Sequence, residues 1–394
     1  MLRPLFVLTS LLFALPGCDR QADRQPEPQT ETEPGSALRD MDPEQAASSR
    51  LAWQLGEALL NEAGAECATM HLSLEQFLAQ PGAEPLARVR ADWWACHNQW
   101  HQFDLFASLK ESNPGLFGGL GKLGFAIDAY PLQPGYLDSL EAYPYSGIVN
   151  DISLAITAGN MRTQHGLTDS EDVSLGLHAL EFLLWGEKGE RPASDYDNEL
   201  VDADPKTQLK PAEQPVSRRR ELLLLVSHLL QDDLERLSQA WQPGKGGFGD
   251  TYEQLRPASR IQLLKSAGHH LLEHQLPEQV RQLSEPDERH NRFAGQSLAP
   301  VANALKGLSR VYFTGEPALA QWLGEADQIK AWHNRLEFLS EQLEARARKP
   351  TDVEAPGPEA LSPEILRELL QELARPLAAP ASPSLPPAPN PGQP

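Results

Sequence analysis

Along most of the chain, apolar residues return every three or four positions and alternating β-branched runs are few, which is the spacing of helices that bury one stripe. The pattern predicts helices over about 44–66, 70–80, 84–111, 145–165, 170–186, 215–241, 252–284, 296–314 and 317–347. Breaks rich in Gly and Pro, such as NPGLFGGLGKLG, EKGERPASDYD and QPGKGGFGD, separate them. The fold class is therefore all-α. The polar stretch 191–214 divides the body, and each side holds enough long helices for an antiparallel bundle. The expectation is two packed helical bundles, 44–190 and 215–348.

The ends follow other rules. Residues 1–17 open with Arg3, continue through an apolar run from Leu5 to Leu15 and finish in small residues before Cys18, a pattern of export. The ending LPGC resembles the lipobox of bacterial lipoproteins. That resemblance implies cleavage before Cys18, lipid on its sulfur and a periplasmic protein anchored to a bacterial membrane. Asp19 resembles the signal that, in some bacteria, holds lipoproteins in the inner membrane. The alternative is an ordinary signal peptide that contains a cysteine. Residues 18–43 are polar, carry several prolines and lack the apolar surface to fold, which makes them a disordered tether. Residues 349–394 are a Pro/Ala-rich tail with one helical candidate, PEILRELLQELA, over 363–374.

Charge narrows the partners. The 394 residues carry a net charge of −21, with basic residues scattered rather than gathered, which excludes a nucleic-acid partner and would attract a cation. Cys67 and Cys96 flank a helix-to-helix connection in a compartment that permits disulfides, where a bridge would stabilise by about 3 kcal/mol. Two buried thiols are the alternative. There is no GxSxG, phosphate loop, CxxC or CxxCH, so a serine hydrolase, a nucleotide enzyme and a covalent haem carrier lack support.

The chemistry concentrates in VSLGLHALEFLLW, where His178 and Glu181 are the only residues able to carry charge. At i and i+3 they share a helix face, while Gly176 and Ala179 leave room for a neighbouring helix. A helix apolar nearly all round belongs inside a bundle, and a carboxylate there is costly unless paired or bound to a cation. Either the pair fastens helices, or it ligates a metal with help from other helices.

The same stretch is similar to the GxHxxE signature of the imelysin-like proteins, classed as peptidase family M75, through Gly176, His178 and Glu181. The segments FAIDAYPLQPGYLDSL from Phe125, GIVNDISLAI from Gly147 and NALKGLSRVYFTG from Asn303 share the likeness, which spans residues 45–345. It implies an exported two-bundle protein with a groove between the halves, associated with iron or haem acquisition, in a class whose peptidase activity is in question for many members. The implied cofactor is a metal ion, iron foremost and zinc second, with haem left open. The implied partners are membrane proteins of iron or haem transport or redox chemistry. With Trp93 as the aligned tryptophan, His97 stands where the family often has arginine. Asp104 then stands where it has glutamate, as the expected third ligand beside His178 and Glu181. In RHNRFAGQS, Ala294, Gly295 and Gln296 replace polar residues of some members while His290 remains, which favours binding over catalysis.

A second segment, GHHLLEH, also fits. His270, Glu273 and His274 have the HxxEH spacing of zinc peptidases, with Glu337, Glu341 or Glu344 as the third-ligand candidates. The apolar stripe Ile261, Leu264, Gly268 and Leu271 puts these histidines at the flank of a buried face, so a partly exposed cluster is the plainer expectation. His71 with Glu75, and His101 with Asp104, have helical spacing and nothing more. Three functional classes result: a non-enzymatic lipid-anchored metal binder, a zinc metallopeptidase, and a structural or adaptor lipoprotein.

Overall fold

The computed structural model describes residues 42–198, 209–347 and 361–378. The export segment, Cys18, Asp19, the tether and the remainder of the tail lie outside the described residues.

The first helix, α1 (Pro43–Ala79), starts where Asp42 accepts hydrogen bonds from the N–H groups of Glu44 and Gln45, and Pro43 fills the first turn. It runs through the predicted gap after residue 66, because nothing between Cys67 and Thr69 breaks a helix. Helix α2 (Ala83–His101) returns alongside, and a disulfide between Cys67 and Cys96 joins the two. The predicted helix 84–111 ends at His101, and short turns carry the chain to Ile127. Most of the predicted helix 145–165 is irregular. Helix appears only at Ala158–Gln164, after Thr157 caps it.

Helix α3 (Gly176–Trp185) is buried at every position, as its all-round apolarity requires. Helix α4 (Pro215–Trp241) packs on α1 and α3. It therefore completes the first bundle, although the sequence boundary at 191–214 assigned it to the second. Two indoles lock it in place. Trp53 and Trp241 stack with centroids 3.7 Å apart, and each Nε1–H donates to the other's carbonyl at 3.1 Å. At the other end Arg218, Arg219 and Arg220 reach in different directions. Arg218 alone holds the carbonyls of Ile148, Val149, Asp151 and Leu154, which fixes the irregular segment there.

The second bundle contains α5 (Pro257–His270), α6 (Leu276–Gln282), α7 (Ala299–Phe313) and α8 (Ala326–Ala347). The tail candidate folds as α9 (Pro363–Ala374) and docks on α6 and α8, burying Leu366, Leu370 and Leu373. Helix α7 crosses the end of α2 so closely that a Cβ on Gly307 would collide with the carbonyl of Gln102. The architecture is all-α, two packed helical bundles in one compact unit.

Candidate metal centre

Where the bundles meet, side chains from four segments converge. His97 and His101 lie one turn apart on α2, Asp128 follows the short turns, His178 is on α3 and His290 is on the loop before α7. His97, His101, His178 and His290 are all at most 4% exposed. The Nε2 atoms of His97 and His101 are 3.1 Å apart, and those of His178 and His290 are 3.3 Å apart. The Asp128 carboxylate lies between the two pairs, with Oδ1 3.1 Å from Nε2 of His178 and Oδ2 3.6 Å from Nε2 of His101. One donor atom from each of His97, His101, Asp128 and His290 lies within 4.8 Å of all the others.

Outer groups aim this set. Nδ1 of His101 is 3.0 Å from Asp104 Oδ2, and Nδ1 of His178 is 2.7 Å from Glu181 Oε2. Each carboxylate faces Nδ1 of its imidazole and so orients the ring with Nε2 turned inward. Glu181 Oε1 accepts from the N–H groups of Phe293 and Ala294, both at 2.9 Å, and so pins the loop that delivers His290. Trp100 Nε1–H donates to Asp128 Oδ2 at 2.9 Å, and Trp93 Nε1–H to the Leu177 carbonyl at 3.0 Å.

The electrostatics are those of a buried, tightly coupled cluster. Burial, reinforced by the neighbouring imidazoles, holds His97 and His290 well below the usual imidazole range, and hence neutral. Burial opposes ionisation of Asp128 as well, but His101 and His178 outweigh it and keep the carboxyl well below its ordinary value. For His178, burial works against the proton, and its contacts with Asp128 and Glu181 prevail, so its pKa is pushed up to about 9.

A cavity of about 180 Å³ opens beside the cluster, lined among others by His101, Asp128, Tyr130 and His290. Gln275 and Gln279 line it too; Gln275 ends a π-turn over Leu271–Gln275 that separates α5 from α6. Such turns change the phase of a helix and often occur at functional sites.

The donor set fits a metal. Two nitrogens bound at about 2.0–2.1 Å to one tetrahedral ion sit roughly 3.3 Å apart, the spacing of each histidine pair. Asp128 Oδ1 is buried at the centre of the set without a hydrogen-bond partner, a penalty of about 1–3 kcal/mol that a bound cation would remove.

The residues expected from the sequence are thus partly redistributed. His178 faces the centre. Glu181 and Asp104 occupy outer positions, each holding a histidine: both oxygens of Glu181 are engaged, and Oδ2 of Asp104 faces His101. Gly176 has φ +82°, and a Cβ there would collide with the carbonyls of Ile127 and Ala126, next to Asp128. His101 and Asp128 were overlooked as inner groups; the HNQWH spacing of His97 and His101 is the signal that would have found one of them. The HxxEH trio gathers no comparable site. His274 is exposed, His270 and His274 have ring centroids 5.3 Å apart, Glu337 pairs with His333, and Glu344 pairs with Lys306.

An all-helical chain whose two bundles enclose a histidine-and-acid cluster defines a class of bundle proteins with a candidate metal centre. Within that class, the pattern of the imelysin family, peptidase M75, matches residues 59–383, and the chain belongs to that family. Two solved structures share the fold. One, described as an iron-regulated protein A precursor from Parabacteroides distasonis, is 15% identical with TM-score 0.56, over 86% of this chain and 94% of that one. The other, an imelysin-like protein from Psychrobacter arcticus, is 16% identical with TM-score 0.56, over 85% and 92%. A comparison with curated proteins returns no match.

Proposed function

We propose that this chain is a non-enzymatic metal-binding protein of iron handling. It holds one transition-metal ion through His97, His101, His178, His290 and Asp128, with Asp104 and Glu181 orienting the imidazoles. The observation that carries the reading is the convergence of imidazole Nε2 atoms at 3.1 and 3.3 Å around one carboxylate, at the seam of the bundles. Iron is the ion the family context favours, and zinc is the alternative the donors also accept. The cavity at the cluster, about 180 Å³, is smaller than the roughly 300–1,000 Å³ that encloses larger organic ligands. That supports an ion or a small chelate over haem. The HxxEH helix, lacking a gathered ligand set, gives a peptidase reading no comparable support.

The N-terminal pattern leads us to place the protein in the periplasm, tethered to a membrane by lipid on Cys18, with the metal or its carrier and a membrane transport or redox protein as partners. Palmitate labelling lost in Cys18→Ala tests the anchor; labelling retained there refutes it. Metal analysis and equilibrium dialysis of the purified chain test the site. His101→Ala and His178→Ala should each lower the bound metal, with helicity by circular dichroism unchanged. Unchanged stoichiometry in both variants refutes the reading.

A further inference from the structure

The centre offers nitrogen in abundance and oxygen sparingly. Four imidazole Nε2 atoms point inward, while the carboxylates nearby are largely committed to other partners. Asp104 Oδ2 faces Nδ1 of His101, Glu181 Oε2 faces Nδ1 of His178, and Glu181 Oε1 accepts two backbone N–H groups. Asp128 Oδ2 accepts from Trp100, which leaves Oδ1 as the carboxylate oxygen turned toward the histidines without a donated hydrogen bond. Tyr130 brings its ring within 4.6 Å of that of His290, and its buried hydroxyl has no hydrogen-bond partner. Among the described residues thiolate is absent as well, since Cys67 and Cys96 are bonded to each other.

We infer that this centre is selective for a late divalent ion bound by at least three imidazoles, copper(II) most tightly and zinc(II) next, and that it rejects ferric iron. This rests on the metal-binding reading and revises its order of ions, placing copper and zinc ahead of iron. Imidazole suits copper, zinc and ferrous iron, and affinity for divalent ions rises to copper at a given nitrogen site. Ferric iron is a harder acid that needs several anionic oxygens, and against four imidazoles the cluster turns one carboxylate oxygen inward, with the neutral hydroxyl of Tyr130 as the further oxygen on the cavity wall. The outer carboxylates sharpen the preference by making the imidazoles on which they act stronger donors. In an iron-handling setting, ferrous iron would enter only where copper and zinc are withheld.

The test is competition on the metal-free full-length chain, with copper(II), zinc(II), iron(II) under anaerobic conditions and iron(III) citrate, each at buffered free concentration. Copper occupancy should exceed ferric occupancy by at least about tenfold. The copper electron paramagnetic resonance spectrum should show splitting from three or more nitrogens. His97→Ala should remove one nitrogen from that pattern, with helicity by circular dichroism as the folding control. Ferric iron that binds as well as copper overturns the selectivity while leaving the metal site standing, most directly if a phenolate-to-iron absorption band appears and vanishes in Tyr130→Phe. A copper spectrum with fewer than three nitrogens overturns the ligand assignment. Binding of none of the four ions refutes the underlying reading, and the selectivity falls with it.

Discussion

Glu181 faces His178 rather than the centre of the cluster: its Oε2 lies 2.7 Å from Nδ1 of the imidazole, while Oε1 holds the backbone of Phe293 and Ala294. One carboxylate thus serves two histidines, orienting His178 directly and fixing the loop of His290.

The first prediction follows from hydrogen-bond polarity. In Glu181→Gln, the amide oxygen can still accept from Phe293 and Ala294, which leaves the NH₂ group facing Nδ1 of His178. That nitrogen must then act as acceptor, which holds the ring proton on Nε2, where a bound metal would need the lone pair. Metal affinity should drop by about 10–100-fold with stoichiometry and fold retained, the range typical of outer-shell changes. Titration calorimetry measures it, and an affinity equal to wild type would contradict the outer role.

The glycine of GxHxxE has a positional task. Gly176 begins α3 at φ +82°, against the carbonyls of Ile127 and Ala126, so α3 sits directly on the segment that carries Asp128. Gly176→Ala should cost about 1–3 kcal/mol from the left-handed backbone alone, with the collision added. Chemical denaturation reads the stability. Separation of His178 from Asp128 should also weaken metal binding in the folded fraction.

The Cys67–Cys96 bridge closes a sequence separation of 29 between the two longest-contacting helices of the first bundle. Loop-closure entropy assigns it about 3–4 kcal/mol. The double variant Cys67→Ser with Cys96→Ser should lose that much in a denaturant titration, while reduced and oxidised forms of the variant should behave alike.

What the sequence disclosed and what it withheld follow from the range over which each signal acts. Periodicity is local, and it correctly marked α3 as a helix buried on all sides and α9 as a helix despite its proline-rich surroundings. It says that a stripe is buried, not against what, so α4 was assigned to the bundle that follows it although it packs on the one before. The i, i+3 spacing of His178 and Glu181 fixed a common face, but not which oxygen turns toward which atom. Asp128 lies in irregular chain between short helices, where no periodic signal exists, and its role arises only when α2 and α3 close around it. His290 was legible as an available histidine; its neighbours were not, because the contact spans 112 residues.

The last prediction concerns acid. Asp138 is fully buried, with Oδ2 2.9 Å from Arg191 and 2.6 Å from Arg219, and with Oδ1 3.1 Å from Arg219 and accepting from the N–H of Ser139. Burial opposes its ionisation, yet the two guanidinium groups outweigh burial and hold the carboxyl below its ordinary value. A folded-state value below the unfolded one means that the ion cluster stabilises fully above the unfolded aspartate value, about 3.9. As pH falls below that, the unfolded chain takes up a proton that the folded chain resists, and stability declines until the folded carboxyl also protonates. Asp138→Asn removes the anion but leaves Arg191 and Arg219 buried, which should cost about 3–5 kcal/mol at neutral pH. The same variant should flatten the part of the stability curve below about pH 4 that belongs to this residue. Denaturant titrations from pH 7 down to the acid transition measure both effects. A variant that parallels wild type across that range, displaced by a constant amount, would show that Asp138 is not the proton-linked group.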